Sequence, residues 1–127
     1  RFGSPGGLSA DPAGFVYVAD TANNAVRRVS PDGAEVTTLA GGLHGFRDGR
    51  GSRARFRAPA DVACAPDGSV YVADAHNWRI RRVAGDGEVT TVAGTSNALA
   101  WADGPAAGAR FLPGAPPGRG RIYQSRR

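Results

Sequence analysis

The sequence predicts an all-β protein built from two four-stranded antiparallel units and an incomplete third unit. Its 127 residues repeat: the segment VYVAD at Val16–Asp20 returns 54 residues later at Val70–Asp74. At this offset, residues 2–33 and 56–87 are identical at 15 of 32 positions. Gly or Pro interrupts every stretch long enough for several helical turns, and no apolar stripe of helical period survives. Four short strands per unit, repeated along a chain, are typical of β-propeller blades.

Each unit contains four predicted strands separated by turn signals. Pro and Gly follow the first strand and favour a turn, because Pro presets φ and Gly accepts positive φ. The second strand is rich in β-branched and aromatic residues, as expected in a packed sheet. An Asp-Gly pair before the fourth strand predicts a tight hairpin. The predicted strands are residues 8–10, 15–19, 25–29 and 35–40, and in the second unit residues 62–65, 69–73, 79–83 and 88–93.

The third strand of each unit departs from strict alternation. Val26 and Val29 lie three residues apart, whereas in a regular strand residues two apart point to the same face. We therefore expect a β-bulge or a strong local twist in this strand.

The repeat divides the chain into three predicted segments. Each copy ends with the signature Asp-Gly-x4-Ala-Arg-Phe, at residues 48–56 and 103–111, and after Pro113 the pattern stops. Because the chain has no Met and begins within repeat-like sequence, we expect it to be part of a longer protein. The segments are residues 1–55 (first blade with its inter-blade loop), 56–110 (second blade with its inter-blade loop) and 111–127 (a truncated third repeat and an Arg-rich irregular tail).

Together these motifs resemble the NHL repeat, in a long-period variety of about 54 residues. The matching elements are Phe-x-x-Pro, Val-Tyr-Val-Ala-Asp, Arg-Arg-Val, Asp-Gly and Val-Thr-Thr-Leu/Val-Ala-Gly, and the resemblance covers residues 2–113. The resemblance implies a propeller segment. Because two blades cannot close a propeller, we expect further blades or self-association to cover the exposed blade faces.

The resemblance implies three functional hypotheses. The favoured one is a non-catalytic scaffold for a protein partner, since many proteins with this repeat are similar to interaction modules. The first alternative is part of a propeller enzyme, a metal-dependent lyase or lactone hydrolase, whose metal ligands would lie in blades outside this chain. The second alternative is RNA binding through a basic face.

The charge distribution disfavours RNA. The net charge is +5, but residues 1–118 hold 12 Arg against 11 acidic residues, and the remaining positive charge lies in the tail. A local excess of Arg occurs in the first inter-blade loop, at Arg47, Arg50 and Arg53, and continues to residue 57. A broad basic surface, which RNA binding favours, is therefore not expected.

The candidate partner-binding residues are those that the fold does not require. His76 stands where the first copy has Ala22, and Trp78 where it has Asn24. His76 is either a partner contact or a solvated loop residue, and Trp78 either belongs to an exposed patch or packs on a neighbouring blade. The predicted contact residues are His76, Trp78, Arg47, Arg50 and Arg53.

The sequence contains no catalytic, cofactor or metal signature. Asp20 and Asp74 recur at strand ends, where we expect them to cap the following turn. One carboxylate per Asp-Gly loop falls short of the six to eight oxygens that calcium prefers. Cys64 is the single cysteine, no nucleophile elbow appears, and no apolar run approaches the length of about 20 residues that spans a bilayer. We therefore predict no catalytic residue, cofactor or metal in this chain, and the sequence indicates no localisation.

Overall fold

The computed structural model describes residues 2–94, which form two antiparallel sheets joined by a structured loop. The predicted all-β fold is confirmed, with three single-turn 3₁₀ segments as the helical elements of this part of the chain. No helix within it is long and apolar enough to cross a membrane. In chain order the strands are β1 (Pro5–Ala10), β2 (Val16–Asp20), β3 (Ala25–Val29), β4 (Val36–Gly41), β5 (Leu43–His44), β6 (Gly49–Arg50), β7 (Arg55–Phe56), β8 (Asp61–Cys64), β9 (Val70–Asp74), β10 (Arg79–Val83) and β11 (Glu88–Gly94).

The first blade has the strand order β1-β2-β3-β4, and the second has the order β8-β9-β10-β11. The loop between the blades contributes β6, which pairs with β11 and adds a short fifth strand to the second sheet. The same loop contains β5 and β7, which pair in parallel. The predicted third repeat and tail, residues 111–127, lie outside the described residues.

The predicted irregularity is present, but the extra residue lies in the fourth strand. Val26 pairs with Ala40 and Arg27 pairs with Thr38, so Leu39 is the additional residue. Val92 has the same place in β11. The third strand is hydrogen-bonded on both sides and its pairing with the second strand is regular, so the bulge forms in the neighbouring strand instead.

The hydrophobic core lies between the two blades. One face of the first sheet, with Tyr17, Ala19, Val26 and Ala40, contributes to this core together with an inner face of the second sheet. Leu39, the bulge residue, packs against the same cluster. The valines contributed by the second sheet are Val62, Val70, Val72, Val83 and Val89. The hydrophobic cluster of residues 2–94 is therefore built from facing surfaces of the two blades.

Two pairs of equivalent positions differ in burial according to whether the other blade covers them. Leu8 is 68% exposed, whereas its counterpart Val62 is 3% exposed. On the opposite face the relation reverses: Val26 is fully buried, whereas its counterpart Ile80 is half-buried. At these positions the outer face of each blade is less buried than the face between the blades, and its covering by a further blade stays a prediction.

Strand β1 of the first blade and strand β8 of the second blade approach each other closely. The backbone N–H of Gly7 donates to the carbonyl of Ala60 at 3.0 Å, and the N–H of Cys64 donates to the hydroxyl of Ser9 at 3.0 Å. A Cβ on Gly6 would lie 2.5 Å from the carbonyl oxygen of Ala60, so glycine allows this approach. Cys64 packs beside the core, and burial raises the pKa of its thiol.

Two glycines distinguish the effect of backbone strain from that of steric overlap. Gly33 has φ +74° with open space around it, whereas Gly41 has φ +88° and a Cβ there would overlap the Asn24 carbonyl and the Phe56 ring. We expect Gly33→Ala to lower the free energy of unfolding by about 1 kcal/mol and Gly41→Ala to lower it by about 2–4 kcal/mol. Urea denaturation of both variants measures the difference, and equal losses would show that Gly41 is not needed for blade packing.

Candidate functional site

The buried carboxylate of Asp74 is the centre of a hydrogen-bond network at the end of β9. Asp74 is fully buried at the end of β9, and its Oδ2 accepts hydrogen bonds from Asn77 Nδ2 at 2.7 Å and Arg81 Nη1 at 2.6 Å. Its Oδ1 accepts the backbone N–H of Arg57 at 2.8 Å. In the first blade Asp20 accepts in the same way from Asn23, Arg27 and the N–H of Gly3.

These contacts correct one sequence prediction. Asp20 and Asp74 do not cap the turns that follow them, because neither side chain bonds a backbone N–H of those 3₁₀ segments. Each carboxylate instead binds a backbone N–H 17 residues earlier in the chain, ahead of the first strand of its blade. Each carboxylate therefore links the end of the second strand of its blade to the segment before the first strand, and does not cap the following turn.

The pKa values of the two carboxylates shift in opposite directions. Burial raises the pKa of Asp20, but hydrogen bonds from Asn23, Gly3 and Arg27 outweigh it, so the pKa is lower than usual. Burial also raises the pKa of Asp74, and the bonds from Asn77, Arg57 and Arg81 offset that effect only in part. Asp74, which the inter-blade loop covers, is the more deeply buried carboxylate, and its pKa is therefore the one that rises.

Arg81 joins the second blade to that loop. Its side chain is fully buried, and its Nη2 donates to the Arg47 carbonyl at 2.8 Å and to Asp48 Oδ1 at 3.0 Å. Its guanidinium group also lies 4.7 Å from the Phe46 ring centroid and 5.0 Å from that of Phe56, within cation–π range. A guanidinium group has enough donors to bind a carboxylate and several carbonyls at once.

The loop encloses a polar depression that we call the arginine hollow. Its volume is about 620 Å³. It forms because β6 pairs with the start of β11, placing Arg50 opposite Glu88, and because a 3₁₀ turn at Gly51–Arg53 follows directly. The hollow is lined by Arg47, Asp48, Gly49, Arg50, Ser52, Arg53 and Glu88.

The charges of the arginine hollow are only partly paired. Arg50 forms ion pairs with Asp86 at 3.0 Å and Glu88 at 3.5 Å. Asp48 accepts from Arg81 and from the Thr91 hydroxyl. Arg47 and Arg53 are exposed, and neither side chain forms an ion pair within residues 2–94. Two guanidinium groups therefore remain available for a carboxylate or phosphate.

The structure brings the three predicted arginines together and places Trp78 near the loop segment that leads into them. Asn77, next to Trp78, donates through Nδ2 to the Gly45 carbonyl at 2.8 Å, and Arg79 stacks on the Phe46 ring at 4.0 Å. Arg47, which lines the hollow, directly follows Phe46. His76 is exposed and its N–H donates to the Arg57 carbonyl at 3.1 Å. The predicted contact residues therefore lie near one another around the inter-blade loop.

Trp78 has an unusual backbone conformation. It is half-buried with φ +60°, in the left-handed region that bulky residues rarely adopt. Its counterpart Asn24 has φ +54°, and its side-chain oxygen accepts the N–H of Ala58 at 2.9 Å. An indole has no acceptor, so Trp78 cannot repeat this contact with a following blade.

Sequence reasoning missed an aromatic contact in the loop. Phe46 is 45% exposed, and Arg79 stacks on its ring at 4.0 Å. The available signal was positional: Phe46 lies two residues before Asp48-Gly49, and Trp101 lies two residues before the matching Asp103-Gly104. An aromatic residue thus precedes both Asp-Gly pairs.

Within residues 2–94, no group of three or more His, Cys, Asp or Glu side chains is placed to hold a metal ion. The recurring arginines of the third strands instead pair with acidic residues. Arg27 pairs with Asp20, and Arg82 pairs with Asp67 at 3.1 Å. These two arginines therefore form ion pairs within their own blades.

Sequence comparisons place these features among known proteins. A family model described as NHL repeat matches residues 2–29. NHL repeat-containing protein 2 of Gallus gallus is 37% identical over 92 residues, covering 71% of this chain and 12% of the relative. The Arabidopsis thaliana Protein SUPPRESSOR OF QUENCHING 1, chloroplastic, is 35% identical over 80 residues, covering 62% of this chain and 8% of the relative. The chain spans about a tenth of the length of these relatives.

Solved structures show the same fold. A protein of unknown function from Bacteroides thetaiotaomicron has a TM-score of 0.69 at 28% identity, covering 77% of this chain and 25% of that one. An auxiliary nutrient binding protein of the same organism has a TM-score of 0.68 at 24% identity, covering 83% and 30%. A streptogramin B lyase has a TM-score of 0.51 at 12% identity, covering 68% and 25%. These neighbours are β-propellers, and the last two likenesses concern the fold alone.

Exchanging residues between the two blades separates the two hypotheses for Trp78. We expect Trp78→Asn to raise the free energy of unfolding by about 1 kcal/mol, because Asn adopts the left-handed conformation at lower cost. The reciprocal Asn24→Trp should lower it by about 2 kcal/mol, since the acceptor for Ala58 is also lost. Urea denaturation measures both variants. A loss of stability in Trp78→Asn would mean that the indole packs on a neighbouring surface and is not an exposed contact.

Proposed function

Because the chain belongs to the NHL-repeat family of β-propellers, we propose that residues 2–94 are part of a non-catalytic scaffold that binds an acidic protein segment. The observation that carries this proposal is the pair of exposed guanidinium groups of Arg47 and Arg53 in the arginine hollow. The loop that presents them is fixed to the second blade by Arg81. The scaffold therefore holds the two charges in a defined place.

The size and chemistry of the arginine hollow suit carboxylate side chains. With a volume of about 620 Å³ open to solvent, the hollow has room for a few side chains. A planar guanidinium group binds a carboxylate through two parallel hydrogen bonds. Asp48 and Glu88 at the edge favour a partner in which acidic residues are interspersed with basic or neutral ones.

His76 and Trp78 supply a further contact in this proposal. His76 is exposed, and half-buried Trp78 offers the rigid aromatic area that recurs at interface hot spots. Because Gly45 and Phe46, which precede Arg47, contact the residues on either side of Trp78, one short partner segment can reach both the hollow and these two side chains.

Charge balance favours protein over RNA as the partner. Residues 2–94 contain ten arginines and ten acidic residues, so the formal net charge of this part is zero. RNA binding depends on neutralising several phosphates along a basic surface. The enzyme alternative would need metal ligands from outside residues 2–94, because no candidate metal cluster occurs within them.

Removing the two unpaired arginines tests the proposal. A fluorescein-labelled glutamate-rich peptide serves as the probe, with binding followed by fluorescence anisotropy on the full 127-residue chain. The double variant Arg47→Ala/Arg53→Ala should weaken binding about tenfold, as two exposed ionic contacts of about 0.7 kcal/mol each would give. Arg57→Ala is the matched control, because it removes an exposed arginine of the same loop that does not line the hollow.

Equal binding by the double variant and the control would contradict the proposal. Tighter binding of a single-stranded RNA than of the peptide, with steep loss in salt, would favour the RNA alternative. A stoichiometric metal found by elemental analysis of the purified chain would favour the enzyme alternative.

A further inference from the structure

We propose that Ser52 is a phosphorylation site, and that its phosphate fills the arginine hollow and displaces an acidic partner. This inference rests on the proposed function, because it describes how the same hollow is regulated. It adds a covalent modification and an acceptor hydroxyl, neither of which the proposed function contains.

Ser52 presents a hydroxyl group that the fold does not use. Its side chain is exposed and lines the arginine hollow. The hydroxyls of Ser30 and Thr91 each donate to an acidic side chain, whereas the Ser52 hydroxyl forms no hydrogen bond within residues 2–94. A Cβ on the neighbouring Gly51 would meet no atom within 4 Å, so there is open space beside the turn. An enzyme can therefore reach this hydroxyl while the blades stay folded.

The loop holds Ser52 close to the two arginines without ion pairs. The N–H of Arg55 donates to the Arg47 carbonyl at 2.9 Å, and the N–H of Arg47 donates to the Arg55 carbonyl at 3.3 Å, so the loop closes on itself. Arg53 packs on Gly49, where a Cβ would lie 3.1 Å from the Arg53 Cβ. Ser52, Arg47 and Arg53 therefore border one depression.

A phosphate on Ser52 would reverse the charge of the hollow. Three arginines and two carboxylates line it, which gives the lining a formal charge of +1. Phosphoserine carries a charge of about −2 at pH 7. Guanidinium groups bind phosphate oxygens through parallel hydrogen bonds, so the phosphate would engage Arg47 and Arg53. The same phosphate would repel the carboxylates of a partner.

The sequence around Ser52 suits a kinase with an acidic substrate groove. Arg50 lies two residues before Ser52 with a side chain that is 64% exposed, and Arg53 follows directly. Kinases select their substrates partly by such charge patterns. The repeat does not require these residues, since the second copy of the Asp-Gly signature has neither serine nor arginine at the matching positions. Those positions, which match Arg47, Arg50, Ser52 and Arg53, are Ala102, Pro105, Ala107 and Gly108.

The modification is a phosphoryl transfer from ATP, catalysed by a serine kinase. The bond between Ser52 Oγ and the γ-phosphorus forms, while the bond from that phosphorus to the β–γ bridging oxygen breaks. The hydroxyl proton passes to a carboxylate of the kinase, and ADP leaves. A phosphatase reverses the change by hydrolysing phosphoserine to serine and inorganic phosphate.

Phosphorylation of the full 127-residue chain tests the site. We expect the catalytic subunit of protein kinase A, with ATP, to phosphorylate Ser52, as quantified by tandem mass spectrometry. Arg50→Ala should lower the initial rate at Ser52 about tenfold, whereas the matched control Arg57→Ala should keep it. Phosphate at Ser30, whose hydroxyl is engaged by Asp32, with none at Ser52 would overturn the assignment.

Peptide binding tests the regulation. Phosphoserine is installed at position 52 during translation, and the fluorescein-labelled glutamate-rich peptide is again the probe. We expect binding at least about tenfold weaker than that of the unmodified chain, because both arginine contacts are lost. Phosphatase treatment should restore the original affinity. Equal affinity before and after phosphatase treatment would show that the phosphate does not control the hollow.

A phosphorus-31 NMR titration tests the pairing without any partner. The guanidinium groups of Arg47 and Arg53 should lower the second pKa of the phosphoserine by about one unit from its ordinary value of about 6. Asp48 and Glu88 face the same hollow and oppose this shift, but Arg81 binds Asp48 and Arg50 pairs with Glu88. In Arg47→Ala/Arg53→Ala the pKa should return to about 6.

The titration separates failure of this inference from failure of the proposed function. An identical phosphoserine pKa with and without the two arginines would overturn the pairing, even if the peptide binds. A lowered pKa in a chain that binds no peptide would support the pairing and contradict the acidic partner.

Discussion

The buried ion pair between Asp74 and Arg81 is the interaction on which the second blade depends. The carboxylate binds the backbone N–H of Arg57 and so fixes where the blade begins. The guanidinium group binds Asp48 and two loop carbonyls and so fixes how the loop crosses from the first blade. Removing one partner would leave an uncompensated charge in the interior, which costs more than the pair itself contributes. Loop position, blade spacing and the arginine hollow all follow from this pair.

The architectural arginines and the proposed recognition arginines are different residues. Arg81 is enclosed because a blade and a loop precede it, whereas the equivalent Arg27 retains exposed surface. In the arginine hollow, Asp48 and Gly49 belong to the repeated Asp-Gly signature, whereas Arg47 and Arg53 make no ion pair within residues 2–94. The proposed recognition residues are therefore positions without an ion pair to the blades.

Much of the fold was predictable because it depends on local sequence. Alternating β-branched residues and Asp-Gly turns located all eight main strands to within a few residues. The bulge was anticipated in the wrong strand, since the spacing of Val26 and Val29 does not reveal which partner strand contains the extra residue. The contacts of Asp20 and Asp74 were missed for a similar reason, because their backbone partners lie 17 residues away.

By itself the sequence determined the repeat, the strands, the turn positions and the near balance of charge, all of which depend on residues close together in the chain. Only the tertiary structure decided that three arginines share one hollow, that Asn77, beside Trp78, bonds the Gly45 carbonyl, and that Phe46 stacks with Arg79. These relations depend on how one blade packs on the next. Packing brings together surfaces that lie more than 30 residues apart in the sequence, and the local residue pattern does not indicate which of them come into contact.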